Sequence, residues 1–210
     1  MLKIENAETF GWEAAIRGMR SPKNSWDKSD SCWSSPNENG TDKPMYIIGE
    51  NDLKLMHTLA AAGQDHGKFL RMIHVQLDVT APLYWHKEAD QYKVGTVTDS
   101  CSTMHKIHAK EFTLDDFSHE HLYSPLHDLK PTVDLLNVYR ERFLDTKDKE
   151  DWWQLIQLLP SSFNQRRTWD LNYAVLRNIY HARRNHKLDE WHTLCDWIET
   201  LPYAKELICG

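Results

Sequence analysis

The amino-acid sequence predicts an α+β fold: a single domain with a small twisted sheet flanked by helices and a helix-rich C-terminal half. Residues 72–79 alternate apolar and polar side chains, as a half-buried strand does. From residue 131 onward, apolar side chains recur at helical spacing. A chain of 210 residues, 40% of them hydrophobic, can bury one core, so residues 1–210 are assigned to one domain.

Strand and helix signals alternate in the first half of the chain. Asn51 is a residue type that caps helices, and Gly63 is suited to end the helix that follows. Pro82 is tolerated in the first turn of a helix. The predicted elements of this half are a strand at 2–4, helices at 7–19 and 51–62, the strand at 72–79 and a helix at 81–92. The predicted helices of the second half are at 131–144, 147–158, 166–184 and 187–201.

Residues 21–44 are rich in Ser, Asn, Asp, Lys, Gly and Pro, and they predict an irregular polar loop. A loop of this length inside one domain is usually functional or mobile. It is either a lid over a site or an excursion from the fold, and its composition does not choose between the two.

Composition and charge exclude several classes of protein. A net charge of −6 argues against a general binder of nucleic acid or of membrane surfaces. Residues 1–10 contain no apolar signal core, and no apolar run reaches membrane-spanning length. The four cysteines form no C-x-x-C pair, so we expect reduced thiols and a cytoplasmic protein.

Three polar residues fall at informative positions in the predicted helix at 166–184. Asn172 and Arg183 lie beside the apolar stripe that begins at Trp169, and Asn178 projects about 120° away from Asn172. A planar guanidinium and two carboxamides at the rim of a core suit a flat, polar, acceptor-rich ligand. The alternative is structural, with these side chains capping loops or forming surface ion pairs.

Metal binding and nucleophilic catalysis are weakly supported. The twelve histidines include no H-E-x-x-H pattern and no Cys/His zinc spacing, so no metal site is expected. Cys101 lies among hydroxyl side chains, and a place in a pocket wall is favoured over a nucleophilic role.

Two segments together resemble the flavin-dependent thymidylate synthase family (ThyX), over roughly residues 45–205. The C-terminal segment matches the family pattern without gaps, and a middle segment matches as Ala81-Pro82, a helix and a polar loop. The matching residues of the C-terminal segment are Leu159-Pro160, Trp169, Asn172, Asn178, Arg183 and His186.

The central family motif is altered. It reads Arg-His-Arg, two residues, Ser, one residue, Asn-Glu, one residue, Ser, one residue, Arg-Tyr. Counted from Ala81-Pro82, this chain has Gln91-Tyr92-Lys93, Thr96, Thr98-Asp99, Cys101 and Thr103-Met104. A shift of one residue aligns Asp99 and Ser102 better but loses Lys93, and both registers stay open. Ile156 stands where the family has a phosphate-binding Arg, and His74 lies two positions after the expected His.

The resemblance implies a flavin enzyme that acts at C5 of a deoxyuridine-type nucleotide. Reduced FAD would supply hydride, a folate would supply the one-carbon unit, and the active site would lie between subunits of a homotetramer. Arg183 would bind the substrate and act in catalysis by stabilising charge on the uracil oxygen. The resemblance implies cofactor contacts from Asn172, Asn178, His74, Lys93 and Tyr92, and further substrate contacts from Lys93, Cys101, Ser102 and Gln91.

A second function is compatible with the same sequence. Phosphate recognition rests on charge-assisted contacts that Gln91 and Ile156 cannot provide. The alternative is therefore a non-catalytic nucleotide-binding protein that sequesters or senses a nucleotide. Substitute cations are available at Arg17, Arg20, Lys93, Arg166 and Arg167.

Overall fold

The computed structural model describes residues 1–34 and 45–210, so part of the predicted loop at 21–44 lies outside the described residues. The fold is α+β, with a small antiparallel sheet flanked by helices, and this confirms the predicted fold class. The four strands follow the order β1-β4-β6-β5 and span Lys3–Phe10 (β1), His74–Pro82 (β4), Asn164–Asn172 (β6) and Val97–Ser100 (β5).

The chain divides into two compact units, and each strand of this sheet has residues in both. The first unit comprises Met1–Asn6, Leu77–Gln91 and Thr98–Trp169, and the second comprises Ala7–Gln76, Tyr92–Val97 and Asp170–Gly210.

The first unit is built around a long helical hairpin. Its helices are Leu83–Ala89 (α3), Thr103–Lys106 (α4), Pro125–Asp128 (α5), Lys130–Thr146 (α6) and Lys149–Leu158 (α7). Val133 and Leu136 of α6 are buried with Leu155 of α7, in one cluster with Phe112 and Phe117. Asp148 caps α7 by accepting a 2.9 Å hydrogen bond from the backbone N–H of Glu150.

The second unit contains the remaining helices and a two-stranded ribbon. These elements are Trp12–Arg20 (α1), Cys32–Trp33 (β2), Tyr46–Ile47 (β3), Glu50–Ala61 (α2), a 3-10 segment at Gly67–Met72, Tyr173–Arg183 (α8), Asp189–Ile198 (α9) and a π-helical turn at Lys205–Cys209. Trp12 packs edge-on against Tyr173 at 5.2 Å and Tyr203 at 5.6 Å. The backbone N–H of Tyr173 donates to the carbonyl of Ile73 at 3.0 Å, which joins the start of α8 to the chain leading into β4.

The helix predicted at 166–184 is wrong in its first part. Residues 164–172 form β6, and the helix begins only at Tyr173. Gln165, Trp169 and Leu171 are buried, which is the two-residue period of a strand, whereas Trp169 also satisfied the helical period. Asn172 therefore precedes the helix instead of lying within it.

Smaller differences concern the ends of other elements. The opening strand extends to Phe10, and helix α1 starts after Gly11, whose φ of 91° interrupts the regular backbone. The helix predicted at 81–92 is shorter, because Pro82 ends β4 and α3 stops at Ala89. Within the predicted loop, the described part contains 3-10 turns at Ser21–Lys23 and Trp26–Lys28 and strand β2.

Candidate functional site

The second unit contains a cavity of about 410 Å³ beside the first turns of α8, which we call the amide cavity. Its volume falls in the range of about 300–1,000 Å³ that ligand pockets usually have. It is lined by Ala60, Ala61, Gly63, Gln64, Gly67, Leu70, Arg71, Val94, Asn172, Ala174, Val175, Arg177, Asn178 and His181.

The charged side chains at this cavity are all basic. Arg71 and Arg177 carry permanent positive charges, and His181 can carry a third. The described residues that line the cavity include no carboxylate. Arg177 donates a 2.9 Å hydrogen bond to the carbonyl of Leu207, which fixes its side chain against the C-terminal segment. Arg71 is exposed. The amide cavity is therefore electrostatically suited to an anionic ligand.

Asn172 shapes the wall of the amide cavity. It is 2% exposed, and its Oδ1 accepts a 3.0 Å hydrogen bond from the backbone N–H of Val175, so it caps α8. Its Nδ2 lies 3.4 Å from the carbonyl oxygens of Val94 and Gly95. A Cβ at Gly95 would meet that Nδ2 at 2.9 Å, and φ is +70° there, so glycine allows this close approach. The contacts of Asn172 are thus those of a helix cap, the structural role considered above as the alternative to ligand binding.

Asn178 has a different environment. It is exposed, lines the same cavity as Asn172 and lies in the middle of α8. A carboxamide has two donors and an acceptor oxygen, so it can contact the edge of a polar heterocycle. The structure thus brings Asn172 and Asn178 to one hollow, with Asn178 presented to solvent and Asn172 largely covered.

Arg183 lies at the C-terminal end of α8 and does not line the amide cavity. Five residues separate it from Asn178, which corresponds to about 7.5 Å along the helix and about 140° around it. Its Nε donates a 2.8 Å hydrogen bond to the hydroxyl of Tyr92. Its Cζ lies 4.9 Å from the ring centre of Trp191 and 5.6 Å from that of Tyr92. The amide cavity is therefore lined by Asn172 and Asn178, and Arg183 lies outside it.

The residues of the altered motif are spread over both units. Tyr92 packs edge-on against Trp191 at 5.9 Å. Lys93 is exposed and lies next to Tyr92 in the second unit, whereas Gln91 ends a segment of the first. The phenol oxygen of Tyr92 accepts the hydrogen bond from Arg183.

His74 is oriented by a carboxylate. Its Nδ1 lies 2.9 Å from Oδ1 of Asp170, and its ring stacks on Phe10 at 5.5 Å. Gln76 donates to the other oxygen of Asp170 at 3.3 Å. This pairing directs the Nε2 of His74 away from Asp170, but neither His74 nor Asp170 lines the amide cavity.

Cys101 and Ser102 belong to the first unit. Cys101 is a free, exposed thiol and lines a separate hollow of about 320 Å³ with Asp78 and Arg166. Arg166 donates to Asp78 at 2.6 Å, as does the hydroxyl of Thr168, and these hydrogen bonds hold the pKa of Asp78 well below its usual range. Ser102 accepts a 3.1 Å hydrogen bond from the backbone N–H of His105 and caps α4.

Sequence reasoning missed all the basic residues of the amide cavity: Arg71, Arg177 and His181. Ala174, Arg177, Asn178 and His181 follow the spacing of one helix face, a signal visible once α8 is known to start at Tyr173. Arg71 carries no such signal, because it lies in a 3-10 segment that only the tertiary structure brings to α8.

No helix in the described ranges 1–34 and 45–210 is both long and apolar enough to cross a membrane. In that part of the chain, no three His, Cys, Asp or Glu side chains are grouped as a metal ion would require.

No protein-family model matches the sequence, and neither does any curated protein. Solved structures match over nearly the whole chain. A ThyX of Helicobacter pylori, solved with FAD and dUMP, has a TM-score of 0.68 at 16% identity and covers 98% of this chain and 97% of its own. A second structure of thymidylate synthase X from the same organism, with the same ligands, gives 0.71 at 14% identity with the same coverage.

The UMP/dUMP methylase PolB of Streptomyces cacaoi, solved with 5-Br dUMP, is also similar. Its TM-score is 0.61 at 14% identity, over 100% of this chain and 94% of that chain. The resemblance identified in the sequence is thus confirmed at the level of the fold. This chain has the fold of the flavin-dependent thymidylate synthases.

Proposed function

We propose that the protein is a flavin-dependent enzyme of the thymidylate synthase type, a divergent member of that family, which transfers a one-carbon unit to C5 of a deoxyuridine-type nucleotide. The proposal draws on three neighbours of the same fold, which were solved with dUMP or 5-Br dUMP, two of them also with FAD. A cytoplasmic location follows from the expected reduced thiols.

The basic lining of the amide cavity is the observation that carries this proposal. Arg71, Arg177 and His181 surround a space that also contains the exposed carboxamide of Asn178. Cationic side chains bind phosphate oxygens, and a carboxamide can pair with a ring that has both a carbonyl and an N–H. The donor set therefore fits the phosphate and the ring edge of either a nucleotide or FAD.

Bound FAD would supply the hydride, and the residues of this chain would bind and orient the nucleotide and the cofactor. Arg71 and Arg177 would neutralise phosphate charge, and Asn178 would contact a ring edge. Arg183, oriented by Tyr92 and Trp191, would stabilise negative charge on a carbonyl oxygen of the pyrimidine. We retain the proposed cofactor contacts of His74 and Lys93. We also retain the proposed substrate contacts, which come from Lys93, Gln91, Cys101 and Ser102.

A homotetramer is part of this proposal. Arg183 does not line the cavity that Asn178 lines, so one chain does not assemble the whole proposed set in one hollow. An active site shared between subunits would complete it. The single domain 1–210 is likewise proposed, because each strand of the main sheet has residues in both compact units.

A non-catalytic nucleotide-binding protein is the second candidate. The observation that favours it is the identity of residue 92: counted from Ala81-Pro82, Tyr92 stands where the family has the His of its Arg-His-Arg motif. A protein that keeps the basic cavity but has lost that motif could bind a nucleotide without turning it over.

Purification without added cofactor distinguishes the two candidates. A flavoprotein should absorb light at about 450 nm. FAD and dUMP should each raise its melting temperature, because a ligand that binds the folded state stabilises it. A colourless protein that dUMP stabilises and FAD does not would support the binding protein. No stabilisation by FAD or dUMP would contradict both.

A further inference from the structure

A second cavity of the second unit, of about 290 Å³, lies against α1 and shares no lining residue with the amide cavity. We call it the α1 cavity. Glu13, Arg17 and Arg20 line it from one face of α1, because they are four and three residues apart. Trp26 and Tyr46 line it from the chain that follows α1. Its volume is at the lower end of the range for ligand pockets, about 300–1,000 Å³.

Arg20, which lines the α1 cavity, forms a buried ion pair with Asp52 behind it. The Nε of Arg20, which is 4% exposed, donates to Oδ1 of Asp52 at 2.6 Å. Asp52 also accepts hydrogen bonds from the hydroxyls of Ser29 and Ser31, at 2.6 and 2.7 Å. Burial alone would raise the pKa of Asp52, but these hydrogen bonds and Arg20 outweigh it and lower the pKa. The side chain of Arg20 is therefore held in place before any ligand arrives.

Two aromatic rings, those of Trp26 and Tyr46, also line the α1 cavity. Trp26 is 49% exposed, and its indole N–H donates to the carbonyl of Arg17 at 3.2 Å, which fixes the ring against α1. Tyr46 packs edge-on against Trp33 at 5.2 Å, on the two-stranded ribbon. Half-exposed rings in fixed positions beside a cavity favour a flat aromatic ligand.

Glu13 supplies the acceptor at the rim. Its Oε2 accepts a 3.3 Å hydrogen bond from the indole N–H of Trp33, which orients the carboxylate. Burial and the negative charge of Glu13 both raise the pKa of Tyr46. A carboxylate has two oxygens and about four lone-pair sites, so it can accept two adjacent N–H donors from one ligand edge.

We propose that the α1 cavity binds a flat, two-ring heterocycle that has adjacent N–H donors next to a carbonyl, the chemistry shared by guanine and pterins. The rings lie against Trp26 and Tyr46, and Glu13 accepts the paired N–H groups. Arg17 provides a donor for the acceptor atoms of the ring. An adenine ring has no such edge, so it binds more weakly.

The test uses ligands without a phosphate, so that Arg71 and Arg177 of the amide cavity can make no phosphate contact with them. Binding of guanosine, pterin and adenosine to the full chain is measured by calorimetry and by saturation-transfer NMR. Guanosine or pterin should bind at least about tenfold more tightly than adenosine, as loss of a charge-assisted pair predicts. Binding of guanosine alone assigns the site to nucleosides, and binding of pterin alone assigns it to pterins.

Variants show whether Glu13 carries the discrimination. Glu13→Gln should reduce guanosine or pterin affinity to that of adenosine, while Glu111→Gln, an exposed change in the first unit, should leave it unaltered. Asn178→Ala should also leave it unaltered, so this result is independent of the proposed function. The proposal is overturned if neither guanosine nor pterin binds, if adenosine binds equally, or if Glu13→Gln keeps the discrimination.

Discussion

The Nε of Arg183 donates a 2.8 Å hydrogen bond to the hydroxyl of Tyr92, while the Cζ of Arg183 lies 4.9 Å from the ring centre of Trp191. A guanidinium held by a hydrogen bond and a ring face has a fixed direction. The orientation of Arg183 is therefore a property of this chain and needs no ligand.

Tyr92→Phe tests whether this hydrogen bond positions Arg183. The variant keeps the ring and removes one hydrogen bond, so we expect a stability loss of about 0.5–1.5 kcal/mol in urea unfolding. The affinity for dUMP should fall severalfold, because Arg183 gains rotational freedom. Arg183→Gln should bind dUMP still more weakly. Wild-type affinity in Tyr92→Phe, together with loss in Arg183→Gln, would show that Tyr92 does not orient the guanidinium.

Substitution of the two asparagines of the amide cavity should have different effects, one on stability and the other on dUMP binding. Asn172→Ala removes the cap of α8 and should cost about 1 kcal/mol of unfolding free energy, whereas Asn172→Asp keeps an acceptor and should recover most of it. Asn178→Ala should leave stability within about 0.5 kcal/mol and weaken dUMP binding. Urea unfolding and calorimetry measure the two effects, and equal losses of stability would refute the assignment.

Removing one partner of the Arg20–Asp52 ion pair should be severely destabilising. Arg20→Ala would leave the carboxylate of Asp52, which is 0% exposed, buried without its cation, at a cost of about 3–5 kcal/mol. Arg166→Ala at the exposed pair with Asp78 is the matched control and should lower the unfolding free energy far less. Similar unfolding midpoints for the two variants would contradict this account.

His86 should make stability depend on pH. It is 0% exposed, its Nε2 lies 2.9 Å from the carbonyl oxygen of Gln165, and burial lowers its pKa to about 4. The unfolded chain, with a histidine pKa of about 6.5, binds the proton more readily, so stability falls as pH drops from about 6.5 to about 4. The free energy of unfolding falls by about 1.4 kcal/mol for each unit by which the pKa of His86 differs between the folded and the unfolded chain.

His86→Gln isolates this contribution. Glutamine can still donate to the carbonyl of Gln165 but does not titrate, so the variant should lose less stability than the wild type between pH 6.5 and 4.5. Urea unfolding of both proteins across this range measures the difference. Parallel pH profiles would show that His86 is not the titrating group.

The sequence predicts the fold better than the site. The C-terminal helices and the alternating strand at 72–79 have strong periodicity, and the structure has helices or a strand at those positions. Strand β6 was missed because Trp169 satisfies both the helical and the strand period. Arg71 reaches the amide cavity only through tertiary packing, which no local pattern encodes.

Calorimetric titration of dUMP and deoxyuridine into the wild type and Arg71→Gln shows whether the basic lining of the amide cavity binds phosphate. Arg71 is exposed, so the variant should fold normally. We expect dUMP to bind the wild type at least about tenfold more tightly than deoxyuridine, and Arg71→Gln to remove most of this difference. Equal affinities for the two ligands, or a difference that Arg71→Gln leaves intact, would contradict an anion-binding role of the amide cavity.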